Sequence, residues 1–211
     1  KANELTSKIT SVEGKIPTEI GTVNLLRNSK SFTGSNIGGS GTILSETYQG
    51  CAVRHLKVTG EVAVAEFMNC VYPKLGGNYA ASFWAKGNGV LRVYFHGNRG
   101  YLGVAEGLSS EGKVTPSGDG SISFNLTSSW KRYWVKYKMK SEPASATSVG
   151  KHLLFRTPPN GSENEVYLAG VKLEEGNVAS GYEPAPEDTA EQISSLSSQI
   201  KQTADGITLL A

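Results

Sequence analysis

Aromatic rings and cations alternate along three short segments of this chain. In YAASFWAK (79–86), Trp84 and Lys86 fall on one side of a period-two pattern, and Tyr79, Ala81, Phe83 and Ala85 on the other. In VLRVYFHG (90–97), Arg92, Tyr94 and His96 share a side opposite Leu91, Val93 and Phe95. In KRYWVKYK (131–138), Trp134 and Lys136 oppose Tyr133, Val135 and Tyr137. If these segments share one sheet, Trp84, Tyr94 and Trp134 lie near Arg92, His96 and Lys136 on one solvent-facing surface. Flat rings stack on the C–H faces of pyranoses, and a few polar groups orient the hydroxyls. The rings would come from Trp84, Tyr94 and Trp134, and the donors from Arg92, His96, Lys86 and Lys136. Because guanidinium forks onto phosphate, the set also suits a phosphate-bearing polysaccharide. The competing reading places the tryptophans in the core or under a loop. Trp130, just before the third segment, reads as a structural staple of the body.

Catalytic signatures are missing from the sequence. It holds no HExxH, no Cys/His metal spacing, no GxSxG and no P-loop. Glycoside hydrolysis needs two carboxylates roughly 5–10 Å apart across a cleft. The acidic residues here, Glu106, Glu111, Asp119, Glu163 and Glu165 among them, are scattered through loops and polar faces. A non-enzyme is therefore expected. His55 and His152 stand alone in the pattern and read as ordinary hydrogen-bonded residues. Cys51 and Cys70 read as two buried small residues, with a disulfide as the alternative. A net charge of +2 is too near neutral to indicate a nucleic-acid partner. No apolar run approaches the ~20 residues of a membrane span.

These residues must be held by a β-body. Hydrophobic residues make up 38% of the chain and charged residues 19%, which permits a buried core. Segments 23–27, 42–46, 51–58, 61–69, 78–86, 90–97, 121–126, 131–140, 150–156 and 165–173 alternate with period two between Gly, Asn, Ser and Pro clusters. That pattern predicts an all-β antiparallel sandwich or jelly roll spanning 23–183. The glycine-rich stretch 100–120 reads as a long loop, functional or mobile. The last strand is expected to end near Leu173, followed by a polar turn over 174–177. Pro184 and Pro186 then mark the exit.

Two helical segments flank the body. Leu5, Ile9, Val12 and Ile16 are spaced four, three and four apart, and Pro17 ends the pattern. Ile193, Leu196, Ile200, Thr203 and Ile207 are spaced three, four, three and four apart within the segment 184–211. Asp188 to Glu191 and the pair Thr189 and Gln192 mark the helix start. Each stripe is the narrow seam of a coiled coil. The alternative is that both helices pack back on the body. The short 1–17 segment needs a partner in any case, since isolated helices below ~12–15 residues are marginal.

Four segments together resemble a known family: NLLRNSKSF (24–32), YAASFWAKGNG (79–89), SFNLTSSWKRYWVKYK (123–138) and VYLAGVKLEEGNVASGYEPAPED (166–188). Their order resembles the carbohydrate-binding-module-like jelly-roll domains of tail-tip, baseplate and tail-fibre proteins from phages of Gram-positive bacteria. The following EQISSLSSQIKQTADGI is similar to helical segments that trail such modules. The resemblance implies a jelly roll, a place in the virion tail among other tail and baseplate proteins, and binding of host cell-wall polysaccharide. The two helical seams predict a homo-oligomer, and the resemblance implies a trimer, the form that phage fibres often take. Family members often carry a structural calcium near the first and last strands. Here Ser31 and Phe32, and Leu168, Ala169 and Gly170, stand where acidic residues often occur. Calcium needs six to eight oxygens, usually with carboxylates, so no cofactor is expected. The alternative function is a purely structural spacer in an oligomeric fibre.

Overall fold

The computed structural model describes residues 23–68, 74–97, 100–101, 103–113, 120–139 and 151–208. Two antiparallel sheets face each other. The first holds β1 (Ile37–Gly38), β4 (Ala63–Met68), β12 (Lys151–Arg156), β6 (Val90–Gly97) and β10 (Ile122–Asn125) in that order, with β7 (Gly100–Tyr101) beside β6. The second holds β2 (Thr42–Tyr48), β3 (Cys51–Thr59), β13 (Glu163–Glu175), β5 (Asn78–Asn88), β11 (Lys131–Met139), β8 (Gly103–Ser109) and β9 (Gly112–Lys113). This is the expected β-sandwich of jelly-roll type, closed by one helix, α1 (Pro186–Thr208).

Alternation along the strands builds the core between the sheets. Tyr79, Ala81, Phe83 and Ala85 of β5 meet Leu91, Val93 and Phe95 of β6, Phe155 of β12 and Tyr133, Val135 and Tyr137 of β11. Phe83 packs edge-on against Phe155, with centroids 5.0 Å apart, and against Phe124 at 5.5 Å. Burial of such rings contributes roughly 1.5–3 kcal/mol each. The buried tyrosine hydroxyls remain hydrogen-bonded: Tyr137 donates to the Val93 carbonyl at 2.7 Å. It thereby ties the two sheets across the core.

The sequence-based expectation fails at the junction of β5 and β6. These neighbours in sequence lie in different sheets, because the chain crosses over at Gly87, Asn88 and Gly89. Gly87 has φ +148°, and a Cβ there would lie 1.8 Å from the Glu165 carbonyl oxygen. Only glycine allows β13 to approach the corner this closely.

Other differences are local. Segment 23–27 is not a strand, although Leu25 N–H donates to the Leu173 carbonyl at 2.8 Å. The stretch 100–120 is not one loop: β8 pairs with β11 and β9 with β8. Its residues 114–119 lie outside the described residues. The last strand runs on to Glu175, with Glu174 buried instead of in a turn.

The chain enters and leaves at one corner. Asn24 Nδ2 donates to the carbonyls of Val171 and Glu183 at 3.2 and 3.0 Å, and its Oδ1 accepts from the Leu173 N–H. Asn28 N–H donates to Asp188 Oδ2 at 2.7 Å, and Arg27 pairs with Glu191. Helix α1 starts at Pro186, two residues before the expected start, because proline suits a first helical position. Beyond Asp188 the helix does not pack back on the body: its side chains from Thr189 to Thr203 are all exposed. Ile193, Leu196 and Ile200 are 60%, 57% and 69% exposed. The expected 1–17 helix lies outside the described residues.

Candidate functional site

The outer face of the second sheet carries a row of aromatic rings. The β2–β3 hairpin turns through Gln49 and Gly50, both at positive φ, and sets Tyr48 opposite Cys51. Tyr48 stacks on Trp130 with centroids 4.2 Å apart and planes 15° apart, and meets Trp84 edge-on at 5.4 Å. Such geometries match the ring quadrupoles. Cys51, Val53 and Ala169 form the buried floor beneath Tyr48, Trp84, Trp130, Tyr167 and Tyr182. All five of these rings are half-buried, so each keeps an open part.

Cations sit over the rings. The Lys86 ammonium lies 5.1 Å from the Trp130 centroid and 4.7 Å from that of Tyr167. The Arg132 guanidinium lies 5.7 Å from Trp84, and Lys136 lies 5.8 Å from Trp134. Attraction to a ring face orients these donors at modest cost. Arg132 pairs with Trp84 and Trp134 with Ser82 across β11 and β5, so the two tryptophans are diagonal neighbours. Diagonal side chains lie about 7–8 Å apart. At the other end of the row, His55 lies 4.4 Å from Tyr167, centroid to centroid. His55 Nε2 and Tyr167 OH both donate to Glu165 Oε1, at 3.1 and 3.0 Å. These bonds hold the Glu165 carboxyl below the usual carboxylate range.

The exit tail covers the part of this face that holds Arg132, Lys172 and Glu174. Lys172 donates to Ser180 Oγ and to the Gly181 carbonyl, while the Ser180 N–H and Oγ donate to Glu174. Arg132 donates to Ser82 Oγ at 2.8 Å and to the Ser180 carbonyl. Burial lowers the Arg132 pKa, with the Glu174 charge opposing that shift. Tyr182 lies over Cys51, and burial raises the pKa of both groups.

The residues expected on one surface are split between two. Trp84, Trp134, Lys86 and Lys136 lie on the outer face of the second sheet. Arg92 and Tyr94 lie on the opposite outer face, since β6 belongs to the first sheet. Tyr94 is only 5% exposed, so it offers little stacking surface. The side chain of His96 lies outside the described residues, as do His152 and Cys70. Trp130 does not staple the two sheets; it stacks on the outside. Sequence reasoning missed Tyr48, Tyr167 and Arg132. The adjacent Gln49 and Gly50 were the available signal for a tight hairpin at Tyr48.

The places where calcium would be expected do not suit it. Leu168 is buried in the core, Ala169 lies in the floor of the aromatic row, and Ser31 Oγ bonds Thr33 Oγ1 at 2.7 Å. None of these side chains supplies a carboxylate. Among the described residues, no group of three or more His, Cys, Asp or Glu could hold a metal ion.

No family model and no curated protein match the sequence. Several structural neighbours are carbohydrate-binding modules and phage tail proteins. The chain is similar to the enzymatically active domain of tailspike protein 4 of bacteriophage CBA120 (TM-score 0.44, 13% identity, covering 72% of this chain and 21% of that one). It is similar to the tripod from the baseplate of bacteriophage Tuc2009 (TM-score 0.42, 13% identity, 80% and 61%). It is also similar to the CBM22-1 xylan-binding domain from Paenibacillus barcinonensis (TM-score 0.46, 11% identity, 77% and 99%). The chain spans less than two thirds of the first two. Likeness at this level carries no chemistry from those proteins to this chain.

Proposed function

We propose that this chain is a non-catalytic carbohydrate-binding module of a phage tail structural protein, adhering to host cell-wall saccharide. The observation that supports this is the half-open row of Tyr48, Trp84, Trp130 and Tyr167 with Lys86 and Arg132 among the rings. Trp134 and Lys136 extend it along β11. The rings would lie against sugar C–H faces, and the cations and Glu165 would engage hydroxyls. The virion tail tip or baseplate is the proposed location, with other tail proteins as partners.

Helix α1 supports a second role in assembly. A 23-residue helix is about 35 Å long. Its exposed Ile193, Leu196 and Ile200 seam would meet the same seam of other copies, as in a trimeric stalk. Several modules on one particle turn weak single-site binding into avidity.

The test is binding of the purified chain to a panel of Gram-positive cell-wall polysaccharides, beside Trp84→Ala and Trp130→Ala variants checked for folding. Parent binding that weakens about tenfold in each variant, ~1.4 kcal/mol, supports this face. Binding unchanged in both removes the site. No binding by the parent, even when presented multivalently, leaves a structural spacer as the better reading.

A further inference from the structure

A cleft of about 430 Å³ opens where α1 leaves the body. Asp188, Glu191, Gln192 and Ser195 line it from the helix, and their spacing puts them on one helix face. Lys30 and Gly50, the latter in the β2–β3 turn, line it from the body. Small-molecule sites are commonly of this size, roughly 300–1,000 Å³. No aromatic ring lines the cleft.

The charged groups here do not satisfy one another. Asp188 is 7% exposed; its Oδ2 accepts from the Asn28 N–H at 2.7 Å, while its Oδ1 is buried with no hydrogen-bond partner. Burial raises the pKa of this carboxyl, with the Asn28 bond and the Arg27 charge opposing the shift. An enclosed acceptor is costly unless a donor reaches it. Glu191 is already paired with Arg27. Lys30 has no carboxylate partner among the described residues, although two carboxyl side chains line the same cleft. The cleft therefore offers an acceptor that lacks a donor and a cationic donor that lacks an acceptor. An anion would suit Lys30 and be repelled by Asp188, and a metal ion would meet the reverse. A hydroxyl both donates and accepts, and the Gln192 amide adds one group of each kind.

We infer that this cleft binds a neutral, hydroxyl-rich ligand, a sugar unit or a polyol, with one hydroxyl donating to Asp188 Oδ1 and another accepting from Lys30. With no ring to stack on, selection rests on which hydroxyls stand side by side. Because Asp188 also holds the Asn28 N–H, a bound ligand braces the joint between body and helix. The site is separate from the aromatic row and stands whether or not that row takes saccharide.

The test is a titration of the full chain with glucose, galactose, N-acetylglucosamine and glycerol, followed through amide shifts in two-dimensional NMR. At least one compound should shift the amides of residues 28–31 and 188–195 to saturation. Asp188→Asn should weaken that response about tenfold, since its amide nitrogen replaces the free acceptor while its oxygen keeps the Asn28 bond. Lys30→Ala should weaken it to a similar extent, and Trp84→Ala should leave it in place. Should Asp188→Asn fail to fold, Lys30→Ala and Gln192→Ala decide the matter. Folded Asp188→Asn and Lys30→Ala chains that respond as the parent does overturn the assignment. So does the absence of shifts at these amides with all four compounds. A response to calcium chloride alone, or to sodium phosphate alone, overturns it in favour of a cation site or an anion site.

Discussion

The Lys172 ammonium lies 3.3 Å from the Glu174 carboxylate, with the two side chains 1% and 0% exposed. Next-but-one neighbours on β13 point the same way, so both fall on an outer face that is normally polar. The exit tail covers them, and Ser180 bonds to both. Removing one member of a buried pair leaves an uncompensated charge, at ~3–5 kcal/mol. Glu174→Ala should therefore lower the unfolding free energy by about that amount in urea denaturation, and should expose residues 177–183 to faster amide exchange. The double change Lys172→Met, Glu174→Leu should recover most of the stability. A Glu174→Ala chain as stable as the parent would show that the tail lets water reach Lys172.

Gly170 is a second fixed point beneath the aromatic row. Its φ is +54°, at an irregularity of β13. A Cβ there would lie 3.1 Å from Trp84 Cδ1 and 3.7 Å from Cys51 Sγ. Gly170→Ala should cost about 1–2 kcal/mol for the left-handed backbone. It should also shift tryptophan fluorescence as Trp84 moves. Unchanged fluorescence and stability would mean that the bulge relaxes freely.

The sandwich itself was legible in the sequence, because residues of the inter-sheet core recur at every second position in 79–86, 90–97 and 131–138. The grouping of the site was not. Period two tells which side of its own strand a residue takes, but not which sheet the strand joins. The Gly87–Gly89 corner sends Arg92 and Tyr94 to one face and leaves Trp84 and Trp134 on the other. Tyr167 was hidden for a related reason: β13 is flanked by β3 and β5, so its outward residues join a face built from distant sequence. The glycine-rich 103–109 read as loop because exposed Val104, Glu106 and Leu108 alternate with buried Gly103, Ala105 and Gly107, too small to signal a core face.

The seam of α1 gives a prediction of association. The purified chain should sediment as a concentration-dependent oligomer, and Leu196→Lys should sediment as a monomer at every concentration. Between Ile193 and Ile200 the outer positions are serine and glutamine, so no charge within that span opposes packing of copies. A parent that remains monomeric at high concentration removes self-association through this helix alone.

Glu165 predicts a pH effect. Its folded pKa is lowered, first by the His55 hydrogen bond and then by that from Tyr167. A lowered carboxylate pKa adds stability that is present above the unfolded value of about 4.3 and is lost as pH falls through the folded value. Denaturation followed across that range should show the parent losing stability more steeply than Glu165→Gln. Parallel curves would assign the bonds no energetic weight.

The corner where Asn24 bonds to both Val171 and Glu183 has a mechanical consequence. A pull applied between the two ends of the chain meets this clamp first, together with the Asn28–Asp188 bond and the Arg27–Glu191 pair. The sheets hang to one side of that line of force. The aromatic row can then keep its shape under traction, as long as the knot at the corner holds.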